Sequence, residues 1–479
     1  MAVVLFALAL AVAGWSGLGL TLLLWGRAPR RLPGLGELSC YSFLLGTANV
    51  AVTMQVTGWV TSAVPALTVI ESAALGAFGV VARRATLVAL VRRRPTRRDC
   101  WWAAATVGSI ALMGSVVLWF SLHTSLEWDG LTVWFMKAQL AATHHGRIPL
   151  AYYSDATREW SAPNHPVYLP LLSSWIFGWM GHTSEYAIKA LFPLHLVASA
   201  GLLAGTATRI TGRRALGVLA PLLLLATPAL VHGPGSAASG YADVSMAAFY
   251  LATVVAGIEV LRNDGGAGAT HARRLFATLG VVLPLVKMEG AMQYGVVLLV
   301  VSRVLVVRGG RAGAARRATA RSVLLLAAPF LVTVACWRLL LSSRHVAATG
   351  DMLPVTPSNL ISQLDRTGVL LSSLARELTN WDRWSVLWVW CAVAMAWWLV
   401  TRRGHQRLLL PLLIVVPMAL DVGVFYFSSW SPVEAHVDST LFRLLIHITP
   451  VAVLLVVLSF PALTARPHGM AAAEVSSPG

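Results

Sequence analysis

Long apolar runs separated by short polar segments fill most of this 479-residue chain. A helix needs about 20 apolar residues to cross roughly 30 Å of hydrocarbon. The runs that meet or approach this length are 2–25, 39–58, 62–82, 101–121, 185–208, 214–231, 240–262, 320–341, 384–400, 406–428 and 438–460. A further run, 275–303, is broken by Pro284, Lys287 and Glu289, and predicts two short helices joined by a turn. The pattern therefore predicts an all-α polytopic membrane protein with about thirteen transmembrane helices.

The arginines predict the orientation of these helices. They cluster between apolar runs, at 27–31, 83–98, 209–214, 262–274, 303–321 and 402–407. With thirteen spans, all of these clusters fall on one side, and the other side receives the long, acidic loops 122–184, 342–383 and 429–437. Basic short loops are typical of the cytoplasmic side. We expect a multi-pass protein of the cell membrane, with its amino terminus outside and its carboxyl terminus in the cytoplasm.

The count of thirteen spans, with all arginine clusters on one side, also sets the expected division of the chain. The run 165–180 must be a re-entrant or interfacial helix, since a full span there would move the arginines at 209–214 to the outside. We expect an amino-terminal group of three spans at 1–100, a core at 101–341 with the first outer loop at 122–184, a second outer loop and final spans at 342–460, and a disordered tail at 461–479.

The composition is typical of a membrane protein. It also includes a large positive net charge that needs an explanation. The chain is 57% hydrophobic and 12% charged, with a net charge of +17. Because the arginines lie in short loops between spans, the positive-inside rule accounts for this charge, and we expect no nucleic-acid partner. The four cysteines show no spacing typical of a metal site.

Two carboxylates, Glu127 and Asp129, directly follow the apolar run 101–121. The segment 131–138 has apolar residues at helical spacing and predicts an amphipathic helix lying on the membrane. Asp129 precedes a glycine at the start of this segment, so it is either an N-cap of that helix or a catalytic group. Glu127 is either its acidic partner or a solvated neighbour. Lys137 lies further along the segment and could border the same cavity.

Five other residues are candidates for binding a substrate. His165 lies in the first outer loop, and Asp243 begins a span, where an acid also complements the helix dipole. Lys287 and Glu289 interrupt an apolar hairpin; charged groups at membrane depth are usually functional, although a structural pair of Lys287 with Glu289 or Asp243 is the alternative. Arg443 lies about one turn inside the last span, where it suits a phosphate or lipid headgroups.

Several segments in order resemble a known family. They are "EWDGLTVWFMKA", "NHPVYLPLLSSW", "LLATPALVHGPGSAASGYADVSMAAFYLA", the "KMEG" break, "ELTNWDRWSVLWVW" and "HVDSTLFRLLIHITPVAVLL". Their order and depth resemble bacterial membrane glycosyltransferases of the GT-C superfamily, above all the protein mannosyltransferase and aminoarabinose transferase branch. The resemblance covers roughly residues 101 to 460.

The resemblance implies a hexosyl- or pentosyltransferase of the cell envelope. Such enzymes transfer a sugar, with inversion, from a polyprenyl-phosphate donor to a glycan, lipid or protein acceptor outside the cytoplasm. Asp129 matches the position of the acceptor-activating base, with Glu127 as a second acidic group. The donor phosphate needs cationic partners at the membrane boundary, and Lys287 and Arg443 are the candidates by their depth and charge. Lys137 has no matching role in the family. The resemblance leaves open whether a divalent cation is a cofactor.

A transporter or flippase of lipid-linked sugars is the alternative. In that case Asp243, Lys287 and Glu289 would form a relay within the membrane. No internal repeat is in register along the chain, and this counts against transporter folds built from duplicated halves. A structural partner in an envelope-synthesis complex is a third hypothesis. The identities of the sugar and the acceptor are left open by the sequence.

Overall fold

The computed structural model describes residues 1–26, 34–92, 96–262, 266–308, 313–346, 351–402, 404 and 406–464. Within these ranges the chain is helical and contains no β-strand; Met352 and Ser428 form one isolated bridge. Nine of the described helices are long and apolar enough to cross a membrane. The predicted class, an all-α polytopic membrane protein, agrees with this architecture.

The helices follow one another with few long connections. The first are α1 (Ala2–Trp25), α2 (Leu35–Gly58), α3 (Val64–Ala82) and α4 (Arg84–Val91). Next come α5 (Arg97–His123), α6 (Met136–Thr143), α7 (Leu150–Tyr153), α8 (Tyr168–Met180), α9 (Glu185–Lys189), α10 (Leu191–Thr211), α11 (Ala215–Leu225), α12 (Pro228–Val231), α13 (Asp243–Arg262), α14 (Gly266–Val286) and α15 (Glu289–Arg308). The last are α16 (Gly313–Ser343), α17 (Pro357–Ser362), α18 (Thr367–Leu378), α19 (Trp381–Trp384), α20 (Leu387–Thr401), α21 (Gln406–Val424) and α22 (Val433–Thr464).

Short turns of other helix types complete the fold. A π-helix covers Gly130–Phe135, and 3-10 turns cover Ala156–Ser161, Leu364–Arg366 and Phe425–Phe427. The nine candidate spans are α1, α3, α5, α9 with α10, α13, α15, α16, α21 and α22. Among the other described helices, α11 and α20 are apolar but shorter, with 11 and 15 residues.

Contacts between helix ends define two faces of the bundle. At one end, which we call the loop face, Thr124 after α5 donates to Ala238 before α13, and the backbone N–H of Leu126 donates to Glu185 of α9. At the opposite end, the arginine face, Arg214 pairs with Asp99 of α5. Arg214 and Asp99 thus meet at one end of α5, and the long loop 124–184 begins at the other end.

The first three helices pack closely through glycine. A Cβ atom on Gly17 of α1 would lie 1.8 Å from the carbonyl oxygen of Ser42 in α2, and one on Gly19 would lie 2.3 Å from that of Leu75 in α3. Only glycine permits this approach, which is a common way for membrane helices to associate without a hydrophobic driving force. The helices α1, α2 and α3 therefore pack closely against one another, and Trp175 of α8 contacts α1 by donating to Ala9.

The apolar hairpin at 275–303 breaks where the sequence predicts. The helix α14 ends at Val286 and α15 begins at Glu289, so Lys287 lies in the turn at the loop face. The predicted shortness of both helices is wrong, because they have 21 and 20 residues. Their flanking arginines are themselves helical, and cations near a helix carboxyl end, such as Arg308 in the last turn of α15, favour that extension.

The segment after His165 forms the short helix α8, whose 13 residues reach only about 20 Å. Residues 168–177 of α8 are buried inside the protein, and the re-entrant or interfacial position of this helix stays a prediction. At the carboxyl end, α22 continues to Thr464, and the first residues of the predicted disordered tail are therefore helical. The remainder of that predicted tail, 465–479, lies outside the described residues.

Candidate functional site

The segment that carries Asp129 is anchored to the loop before α13. The backbone N–H of Glu127 donates to the carbonyl of Ser239 at 3.1 Å. A Cβ atom on Gly130 would lie 2.9 Å from the same carbonyl, so glycine is needed here for a close approach. The two segments are thereby held in contact, and Asp129 is placed beside the amino-terminal end of α13.

Asp129 is not an N-cap. Its side chain forms no capping hydrogen bond, and its own backbone is already helical, with φ −65° and ψ −33°. Instead, its Oδ2 atom accepts a hydrogen bond from Nη2 of Arg443 at 2.5 Å. The carboxylate is thus turned away from the helix end and toward α22.

A continuous series of ion pairs extends from this contact. Nε of Arg443 donates to Oδ2 of Asp243 at 3.2 Å, and Nζ of Lys287 donates to Oδ1 of Asp243 at 2.6 Å. The Lys287 ammonium also lies 3.1 Å from Glu289. We call this series the ion-pair chain; its members are Asp129, Arg443, Asp243, Lys287 and Glu289. Three carboxylates and two cations therefore meet at the loop face, contributed by α13, α15, α22 and two connecting segments.

The ion-pair chain is closed in the middle and more open at its ends. The Asp243 side chain is 0% exposed, whereas that of Arg443 is 14% exposed and that of Asp129 is 26% exposed. Asp243 tolerates this burial because it accepts from two cations and also shares a hydrogen bond of 2.8 Å with Nε2 of His447. A ligand arriving from solution or lipid would meet the ends first.

Two residues beside the ion-pair chain were missed in the sequence. His447 follows Arg443 by one helical turn, and this i, i+4 spacing of two polar side chains in an apolar helix was a readable signal. The Tyr241 ring lies under the Arg443 guanidinium, with 4.3 Å between the charge and the ring centre. Such cation–π contacts hold arginine in position.

Buried polar atoms without a hydrogen-bond partner lie near Glu289. They belong to Oε2 of Glu289 itself, both side-chain polar atoms of Gln293, both oxygens of Asp421 and Nδ1 of His165. Gln293 is one turn from Glu289 on the same helix face, and Asp421 and His165 interact electrostatically with Glu289. The signal for Asp421 was a lone carboxylate inside the apolar run 406–428. The Glu289 end of the ion-pair chain thus retains hydrogen-bonding capacity.

Lys137 does not join the ion-pair chain. It is 0% exposed, and its Nζ atom donates to the carbonyl of Ala162 at 2.6 Å. Burial lowers the pKa of Lys137 to about 7. The predicted amphipathic helix on the membrane is wrong in this respect, because Trp134 and Ala138 on the same segment are also buried inside the protein.

The two remaining predicted residues lie near the ion-pair chain without pairing in it. The His165 ring lies 5.7 Å from the ring of Trp134, and burial, aided by the charge of Lys137, lowers its pKa to about 3. The imidazole is therefore neutral at physiological pH. Burial raises the pKa of the Glu127 carboxyl above its ordinary value, although the charge of Arg443 opposes this shift.

The geometry indicates binding through charged and hydrogen-bonding side chains. Within the described ranges, no group of three or more His, Cys, Asp or Glu side chains is arranged to hold a metal ion. The carboxylates of the ion-pair chain are each engaged by a lysine or an arginine. Known proteins offer no guide to the ligand: no family model matches this chain, and no curated protein or solved structure matches it.

Proposed function

We propose that the protein is a membrane glycosyltransferase of the GT-C type that transfers a sugar from a polyprenyl-phosphate donor to an acceptor outside the cytoplasm. The observation that carries the proposal is the pairing of Asp129 with Arg443 at the open end of the ion-pair chain. A candidate base and a candidate phosphate-binding cation thus lie at one place, beside the ends of apolar helices.

The donor would approach sideways through the bilayer, so its phosphate must meet cations near the end of the spans. Arg443 and Lys287 are both bound to Asp243, and a phosphate that contacts Arg443, with the charge of Lys287 nearby, could be stabilised as it gains charge on leaving. The guanidinium of Arg443 suits this task because its donors match phosphate oxygens in geometry. The sugar would then lie among the side chains of the loop face.

Asp129 would accept the proton of the acceptor group. In this step the acceptor oxygen or nitrogen forms a bond to the anomeric carbon, the bond from that carbon to the phosphate oxygen breaks, and polyprenyl phosphate leaves. Attack on the face opposite the phosphate inverts the configuration. A positioned general base contributes about 10²- to 10⁴-fold to such a reaction. Glu127, two residues away and half-buried, would be the second acidic group.

The proposed function includes an arrangement of the helices across the membrane. Nine of the described helices are candidate spans by length and composition, and the proposal counts α2, α11, α14 and α20 as four more, which gives thirteen. An odd number puts the termini on opposite sides. The positive-inside rule then places the arginine face in the cytoplasm and the loop face outside.

The direct test is transfer by Asp129→Asn in membranes supplied with polyprenyl-linked sugars. We expect a loss of at least about 100-fold with unchanged folding, since the amide keeps the shape but accepts no proton. Glu159→Gln is the matched control, because Glu159 is an exposed carboxylate in the same loop. Transfer by Asp129→Asn at the rate of Glu159→Gln would eliminate Asp129 as the base.

Translocation of lipid-linked sugars is the second candidate, and the burial of Asp243 favours it. Asp243, Lys287 and His447 form a fully enclosed polar group, as a relay within the membrane requires. In proteoliposomes, a translocase would move a labelled lipid-linked sugar between leaflets without altering its covalent linkage. It would also tolerate Asp129→Asn better than Lys287→Met, whereas a transferase would lose activity with either substitution.

A further inference from the structure

Both cations of the ion-pair chain are fully engaged. Arg443 is shared by Asp129 and Asp243, and Lys287 is shared by Asp243 and Glu289. An anionic ligand therefore finds no free cation among these residues. It gains one only if it displaces a carboxylate that is already bound.

Burial and the number of ion-pair partners decide which carboxylate leaves Arg443 when an anion binds. Asp243 is fully buried and bound by Arg443, Lys287 and His447, so its release would leave an enclosed charge uncompensated. Asp129 is partly exposed, and among the described residues Arg443 is its one ion-pair partner. Partly exposed pairs are weak, and water can solvate the freed carboxylate. Asp129 is thus the group that leaves.

Arg443 itself stays in place during such an exchange. Its guanidinium rests on the Tyr241 ring and remains bound to Asp243 through Nε. The backbone beside Asp129 is also held, since Glu127 is bonded to Ser239 and Gly130 lies against the same segment. The exchange therefore requires rotation of one aspartate side chain and no movement of a helix.

We propose that the phosphate group of the lipid-linked donor, which is esterified to both the polyprenol and the sugar, binds Arg443 by displacing Asp129 and that this displacement releases the Asp129 carboxylate to act as a base. We call the Asp129–Arg443 pair the latch. Before the lipid phosphate binds, the base Asp129 is bound to Arg443, the cation that the phosphate needs. The inference rests on the proposed function and adds an order to it. The donor binds first, and the acceptor is activated only afterwards.

The latch predicts an effect opposite to that of an ordinary binding residue. Removing the charge of Asp129 removes the competitor of the phosphate, so Asp129→Asn should bind polyprenyl phosphate more tightly while it loses transfer. A gain of about five-fold is expected, in line with the modest strength of a partly exposed ion pair. Glu159→Gln is the matched control, since it removes the same charge from an exposed position in the same loop and breaks no hydrogen bond to Arg443.

The measurement is direct binding of polyprenyl phosphate to the full chain in lipid nanodiscs. Three results together would support the latch: tighter binding by Asp129→Asn, binding by Glu159→Gln unchanged within two-fold, and no tightening in the double variant Asp129→Asn with Arg443→Gln. Equal or weaker binding by Asp129→Asn, with normal binding by the unmodified protein, would overturn the latch and leave the proposed function standing. No binding by any form would remove both.

A second arm identifies the source of the phosphate. The same proteins are titrated with inorganic phosphate in place of polyprenyl phosphate. Tightening with the lipid alone assigns the latch to a lipid-linked ligand. Tightening with inorganic phosphate alone would overturn that assignment and make the ligand a free anion.

Discussion

The two faces of the bundle each contain a charge cluster, and the clusters differ in how they are closed. At the arginine face, Arg209 of α10 lies between Glu37 of α2 and Glu259 of α13. One cation is thus enclosed by two carboxylates from neighbouring helices. At the loop face, the ion-pair chain runs in a line from Asp129 to Glu289 and is exposed at both ends.

Buried ion pairs do not by themselves mark a functional site. Both clusters join helices that are distant in sequence. In the part of the chain that the structure describes, unpartnered polar atoms of Gln293 and Asp421 accompany the charges at the loop face, and a long loop supplies one of the carboxylates there. We interpret the arginine-face cluster as a lock between helices and the ion-pair chain as a binding site.

The largest effect is expected at the lock. Arg209→Gln leaves the buried Glu37 carboxylate without its cation, and breaking such a pair costs about 3–5 kcal/mol of stability. Thermal unfolding in nanodiscs measures this loss. Arg214→Gln is the control, because its pair with Asp99 is more exposed and should contribute less than about 1 kcal/mol. Similar midpoints for the two variants would contradict the interpretation of Arg209 as a lock.

A smaller loss of stability is expected at the binding site. Arg443→Gln leaves Asp243 bound to Lys287 and His447, and leaves Asp129 at a partly exposed position, so we expect a cost of about 1–3 kcal/mol. Sugar transfer by the folded protein should fall by at least about 100-fold, as for loss of an electrostatic donor. If Arg443→Gln unfolded as readily as Arg209→Gln while its folded fraction remained active, the contrast between the faces would disappear.

The smallest effect is a pH dependence from Lys137, a buried cation outside both clusters. Its pKa of about 7 lies below the ordinary value of 10.5, so the unfolded chain binds more protons than the folded chain between these pH values. Stability should therefore rise with pH across that window, on the order of 2 kcal/mol from pH 7 to pH 9. Lys137→Met should lack this rise, which unfolding midpoints of the two proteins at both pH values would show.

The helices were predictable because the signal for each of them is local. A run of about 20 apolar residues is stable in hydrocarbon whatever its neighbours are. The same reasoning located the break at Lys287 and Glu289, since charges interrupt such a run at a cost that must be compensated. His447 could have been found as well, from its one-turn spacing after Arg443.

The contacts of the site were predictable only in part. The hydrogen-bonded Asp129 and Arg443 are 314 residues apart, and no sequence spacing links them. Lys137 was misplaced because an ideal helix was assumed after Asp129. The π-helix at Gly130–Phe135 has a different turn, and the segment packs inside the protein, so Lys137 lies in the core instead of beside a cavity.

The apolar pattern along the chain is enough to specify long helices that can cross a membrane, because partitioning between lipid and water acts on each segment separately. The tertiary structure alone decided which charges meet. A buried carboxylate such as Asp243 is stable only beside cations, and here Lys287 and Arg443 reach it from different helices once the whole bundle has packed.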